Sequence, residues 1–86
     1  MLDAKIEEAL NQQIAHEAHA SNFYLAVASW CEQKGFDGTA SFFYKQSEEE
    51  REHMMKIFRY VNENEGHALA PAVEQPPHDF PSYRSL

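Results

Sequence analysis

Three residues of this chain have the types and spacing to share a metal ion. Glu50 and His53 stand in the run Ser47-Glu48-Glu49-Glu50-Arg51-Glu52-His53, which contains neither Gly nor Pro. Three residues make nearly one helical turn, so the carboxylate and the imidazole project from one side of a helix, one above the other. An oxygen donor beside a nitrogen donor suits iron or manganese better than a thiol-loving metal. Glu-x-x-His by itself arises by chance in any Glu-rich helix. Glu17 adds weight, because it interrupts the apolar stripe of a second helix, where an unpaired carboxylate is costly unless protonated or neutralised.

The elements that must position these residues follow from periodicity. A first helix is expected over about residues 3–34, with Asp3 as cap or first-turn acid, Glu7 and Glu8 at its positive start, and Gly35 as its stop. Steps of three and four give a seam of Ile6, Leu10, Gln13, Glu17, Ala20, Tyr24, Val27 and Cys31, widened by Ile14, Leu25 and Ala28. Phe36-Asp37-Gly38 reads as a turn too short for anything but an antiparallel return. Asp37 is expected to cap a second helix over about 37–64, with Gly66 as terminator. Its seam runs Ala40, Phe43, Ser47, Glu50, Met54, Ile57 and Val61, again broken by one carboxylate at mid-length. Residues 1–66 thus form a helical hairpin. Residues 67–86 hold all four prolines, show no periodicity, and read as a tail or crossover segment.

Counted from Phe36, Glu17 lies 19 residues before the turn, and Glu50 and His53 lie 14 and 17 after it. The three therefore reach a similar depth in the hairpin. Facing carboxylates would repel, and a divalent cation bound between them removes the difficulty.

Eighty-six residues allow one domain at most. The net charge of −7 argues against a nucleic-acid partner and suits one that attracts cations, although solubility alone accounts for such acidity in many proteins. No apolar run of about 18 residues exists to span a membrane. The opening Met1-Leu2-Asp3-Ala4-Lys5 lacks a signal peptide's apolar core, and the single Cys31 fits a reducing cytoplasm. Two helices of about 30 residues leave much of each other's apolar surface uncovered, Phe23, Leu25, Phe42, Phe43, Ile57 and Phe58 included. A second copy of the chain is the simplest cover, and two hairpins make an all-α four-helix bundle. A two-fold axis would gather Glu17, Glu50 and His53 with their copies, the donor set of a di-iron bundle.

Other residues leave their readings open. Tyr24, two turns beyond Glu17, is either core or a hydrogen-bond donor to a ligand carboxylate. Glu49 is either a solvated acid or an outer group that passes metal. His16 and His19 flank Glu17 without the His-Glu-x-x-His spacing of zinc peptidases. Trp30 reads as packing and Cys31 as a buried thiol.

Taken together, Leu10-Asn11-Gln12-Gln13-Ile14, Glu17, Ser21-Asn22-Phe23-Tyr24-Leu25, Ala28-Ser29-Trp30-Cys31-Glu32, Ser41-Phe42-Phe43, Gln46-Ser47-Glu48-Glu49-Glu50-Arg51-Glu52-His53 and Tyr60-Val61-Asn62 resemble the N-terminal half of a bacterial non-haem ferritin. The resemblance covers nearly the whole chain, the Pro-rich stretch corresponding to the start of the family's long crossover. It implies that Glu17 and His53 bind one iron, that Glu50 bridges to a second, that Tyr24 is the neighbouring tyrosine, and that Glu49 contributes to an accessory iron site. It also implies oxidation of Fe(II) by oxygen or peroxide, followed by storage of ferric mineral. Ferritins continue into two further long helices, and this chain stops at Leu86. Self-pairing would give a symmetric site, similar to that of the two-helix encapsulated ferritins. The expectation is an iron-binding, ferroxidase-type homo-oligomer, at least a homodimer. The rival readings are a ferritin fragment or assembly module without turnover, and a passive metal binder.

Overall fold

Asp3 opens the first helix as the sequence predicts. Its carboxylate accepts from the Lys5 amide at 2.7 Å, and helix α1 runs from Ala4 to Gln33. The computed structural model describes all residues, Met1–Leu86. Gly35, at φ 86°, ends α1 in a left-handed turn. The Gly35 amide donates to the Glu32 carbonyl at 3.1 Å and the Phe36 amide to the Cys31 carbonyl at 2.8 Å, the paired bonds of a Schellman motif. Phe36 then packs against Trp30, ring centroids 6.1 Å apart, which closes the turn with an apolar contact.

Helix α2 runs from Asp37 to Glu63. Asp37 is its first residue and not its cap. The capping position belongs to Phe36, which has no side-chain oxygen to offer. The Schellman turn uses Phe36 as its last member, so the second helix starts on the very next residue. Asp37 instead sets its charge against the positive helix start. At the far end Glu65, and not Gly66, takes the left-handed conformation, at φ 66°. Gly66 donates to the Val61 carbonyl at 2.9 Å, and a Cβ there would meet the Glu7 carboxylate at 2.8 Å and the Val61 side chain at 2.9 Å. Glycine is required at 66 for close approach, and at 65 it would relieve strain. Glu65→Gly is expected to stabilise the protein by about 0.5–1 kcal/mol, read as a raised urea midpoint at fixed protein concentration.

Two apolar clusters pin the hairpin. Val27, Trp30, Cys31 and Ala40 form one near the turn, and Ile14, Val61 and Ala68 form the other near the open end. Between them stand Ala18, Ser21 and Ser47, small residues that let the helices approach. Helix α1 buries Val27 and Cys31 from its expected seam and Ile14 and Ala28 from the residues that widen it, with Ala18 and Trp30 beside them, whereas Ile6 and Gln13 of the seam are exposed and Glu17 and Tyr24 are partly so. Periodicity locates the apolar stripe but not which of its members lie deepest, which depends on where α2 and the Pro-rich segment cover it. Burial drives the Cys31 thiol above its ordinary pKa. Cys31 is accordingly expected to resist thiol reagents in the folded protein and to react at the rate of unfolding, as followed by mass spectrometry in urea.

The Pro-rich segment is tied down along its path. Asn11 donates to the His67 carbonyl at 3.1 Å and accepts from the Leu69 amide at 2.9 Å, while Asn62 accepts from the Ala68 amide at 2.9 Å. At the turn end Phe80 meets Trp30 edge-on at 5.8 Å, and Tyr83 packs on Phe36 in a tilted pair at 4.8 Å. Tyr83 also shares a 2.8 Å hydrogen bond with Thr39. The segment thus returns along a molecule measuring 49 × 19 × 16 Å and closes in a short 3-10 turn at Tyr83–Ser85. Only ten residues are buried, which is a small core for 86, and Phe23, Leu25, Phe42 and Tyr60 remain exposed. No helix is long and apolar enough to cross a membrane.

Candidate metal centre

Antiparallel packing brings one turn of α1 beside one turn of α2 midway along the hairpin. Glu17, Glu50 and His53 each present a ligand atom there, all within 4.8 Å of one another. His53 Nδ1 lies 4.0 Å from Glu17 Oε2. The Glu17 side chain is only 13 % exposed and that of His53 is 57 % exposed, so the cluster has a sealed floor and an open mouth.

The floor of the cluster sets two carboxylates against each other. Glu17 Oε1 accepts from the Gln13 amide at 2.7 Å, but Glu17 Oε2 is sealed from solvent with no hydrogen-bond partner. An ionised carboxylate can only accept, so when both acids are charged Glu50 has no proton to offer Glu17. When Glu50 is protonated it becomes the donor. That shared proton holds Glu17 below its ordinary value, against the opposing effect of burial and with help from Gln13, His53 and His16. The same hydrogen bond pushes Glu50 up, as do burial and the Glu17 charge. Two carboxylates that cannot comfortably both ionise, with an imidazole at their rim, fit a divalent cation in donor type and in charge.

All three residues singled out first are thus brought together. Glu49 stands next to Glu50 and accepts from Gln46 at 3.4 Å, outside the trio. Tyr24 packs on Phe43 at 5.8 Å and beside Phe23 at 6.3 Å, and makes no hydrogen bond to the trio. His16 and His19 are exposed, and of the two only His16 bears electrostatically on the acids. Gln13 holds one oxygen of Glu17, a contact that the seam alone did not assign. The signal was present, since a glutamine four residues before a glutamate on one helix face is placed to donate to it.

Comparison with known proteins agrees with this geometry. The Ferritin-like domain family matches residues 7–86. A probable bacterial non-heme ferritin-like protein of Haemophilus influenzae is 40% identical over 86 residues, which is all of this chain and 52% of that protein. The bacterial non-heme ferritin of Staphylococcus aureus is 43% identical over 82 residues, 95% of this chain and 49% of that protein. Among solved structures, Chlorobium tepidum ferritin superposes with a TM-score of 0.91 at 38% identity, over 96% of this chain and 51% of that one. The open pore ferritin of Archaeoglobus fulgidus gives 0.91 at 35%, over 99% and 52%. The chain spans about half the length of the curated relatives it matches. With every residue after the sixth matched, and a helical hairpin that overlays theirs, the chain belongs to the ferritin family.

Proposed function

We propose that the chain binds Fe(II) at a di-iron centre formed between two hairpins and oxidises it for iron storage and detoxification. The observation that carries this reading is the buried, unpartnered Glu17 Oε2 facing a second carboxylate and an imidazole. One hairpin supplies three donors. A copy related by a two-fold axis would double them to four carboxylates and two imidazoles, and would cover the exposed apolar side chains as well. In this reading Glu17 and His53 hold one iron and Glu50 bridges towards the other. Tyr24 is the neighbouring tyrosine, and Glu49 stands on the path of further ions.

The substrates are two Fe(II) ions and an oxidant. Each Fe(II) gives up one electron, and dioxygen takes the pair and leaves with two protons as hydrogen peroxide. Where peroxide is the oxidant, it takes two electrons and two protons and leaves as two waters. The residues contribute charge and position. Loss of the proton shared by Glu17 and Glu50 leaves two negative charges, which favour the ferric over the ferrous ion. Gln13 fixes one oxygen of Glu17 and so aims the other inward.

Aerobic addition of Fe(II) to metal-free protein is expected to consume oxygen and develop ferric absorbance, with about two irons bound per pair of chains in anaerobic titration. Native mass spectrometry is expected to show paired chains. Iron bound at one per chain without oxygen uptake supports the second reading, a module that binds metal without turnover. The observation favouring that alternative is that a single hairpin offers donors for one ion only.

A further inference from the structure

Two hydroxyl groups cross the hairpin one turn from the carboxylates. Ser21 Oγ donates to the Ser47 carbonyl at 2.8 Å, and Ser47 Oγ donates to the Ser21 carbonyl at 2.7 Å. The hydroxyl oxygens are 3.2 Å apart, each with its one proton already committed to the opposite backbone. The exchange is reciprocal, so it fixes two points of one backbone against two of the other. Apolar packing resists an axial slide through shape alone. A pair of short, directed bonds adds a constraint in length and angle.

The place of this clasp gives it a role. Ser21 stands four residues after Glu17 on α1, and Ser47 stands three residues before Glu50 on α2. In an antiparallel pair those offsets run towards the same end, so the clasp and the carboxylates occupy adjacent turns. Besides the proton that Glu17 and Glu50 share within the trio, the side-chain hydrogen bond joining α1 to α2 elsewhere is Tyr44 to Glu32 at 2.6 Å, exposed and near the turn. Ser47 is buried, and Ser21 is partly so. The trio lies between the two apolar clusters, centred on Val27 with Ala40 towards the turn and on Ile14 with Val61 towards the open end.

We propose that Ser21 and Ser47 are positioning residues of the metal centre: their crossed hydroxyl-to-carbonyl bonds set the axial register that holds Glu17 of one helix against Glu50 and His53 of the other. The proposal rests on the trio being a cation site. It adds that the site's geometry is held by this pair and not by the hairpin's apolar packing alone.

Cobalt(II) is the probe, because it does not turn over and its visible absorbance reports coordination geometry. Wild type is expected to bind it in a manner abolished by His53→Ala. Ser21→Ala/Ser47→Ala is expected to weaken Co(II) affinity about tenfold and to move the absorbance bands, and the metal-induced rise in melting temperature is expected to shrink. Ser21→Thr, which retains a donor, is expected to restore both affinity and spectrum. A purely structural clasp would lower the melting of metal-free and metal-loaded protein alike and leave the spectrum unmoved, and that result overturns the proposal. Should the double variant fail to fold by circular dichroism, Ser21→Ala alone removes one bond of the two and decides the question by the same spectral shift. Absence of Co(II) binding in wild type itself defeats the metal reading and the clasp with it, an outcome told apart because it appears before any serine is changed.

Discussion

Exchange of Glu50 for alanine is expected to abolish the fast phase of Fe(II) oxidation and the stabilisation that metal confers. Glu50 is the second carboxylate at the sealed floor, beside Glu17 and His53. Removing it leaves Glu17 and His53, an oxygen and a nitrogen 4.0 Å apart, with no third donor on the chain to complete the group. His53→Ala takes away the nitrogen and the site's mouth together, and the same loss is expected. The thermal readout is sizeable: a ligand held at a hundred times its dissociation constant stabilises by about 2.7 kcal/mol, and both variants forfeit that gain. The metal-free proteins need not melt lower, because deleting Glu50 also deletes its repulsion of Glu17. Glu48→Ala, on an exposed position two residues away, is expected to leave oxidation and melting as they are. Unchanged stopped-flow kinetics in Glu50→Ala and His53→Ala would remove the trio from consideration.

Acidification is expected to strip the metal, and to affect the metal-free protein in the opposite sense over the same range. Glu50 binds its proton more tightly in the folded chain than in the unfolded one, through its hydrogen bond to Glu17 first and through burial next. Metal must displace that proton, so apparent affinity falls by up to tenfold per pH unit for each proton displaced. Titrations of Co(II) at successively lower pH are expected to show the decline. In metal-free protein the sign reverses. A folded carboxyl raised above its ordinary value takes up protons that the unfolded chain does not, so stability contributed by Glu50 increases as pH falls through its folded pKa. Glu17 works the other way. Its pKa is held down, so its contribution is present above the ordinary carboxylate value and is lost as pH falls through the lowered one. Metal-free Glu50→Gln should lose the gain on mild acidification, since an amide offers Glu17 a permanent donor and does not titrate. Calorimetric melting of both proteins with and without metal checks all four curves.

The parts of this structure that sequence reading reached are those governed by a repeating pattern. Glu17 and Glu50 stood out because each broke an apolar period, and the short turn set their depths, so the trio assembled as anticipated. Helix α2 buries Ala40, Ser47 and Val61 from its expected seam. What escaped depends on contacts without a period. The route of residues 67–83 is decided by Asn11 and Asn62 gripping backbone and by Phe80 and Tyr83 finding Trp30 and Phe36, pairings between distant points of the chain. Glu65 in the left-handed region was hidden by the neighbouring glycine, which looked like the better candidate for that conformation. The Ser21–Ser47 clasp has no signature in the spacing of either helix. Only the observed rotamers turn two serines into crossed donors.

The return of the Pro-rich segment has a practical corollary. Leu2 donates to the Asn64 carbonyl at the open end, whereas Tyr83 rests on Phe36 at the turn, so the amino and carboxyl ends of the chain lie at opposite poles of the 49 Å axis. A fluorophore on each would form a molecular ruler laid lengthwise, with the carboxylates near its midpoint and clear of either dye. Peeling of the last dozen residues would change the reading while the helices stayed intact, letting detachment of that strap be timed separately from melting of the rods beneath it.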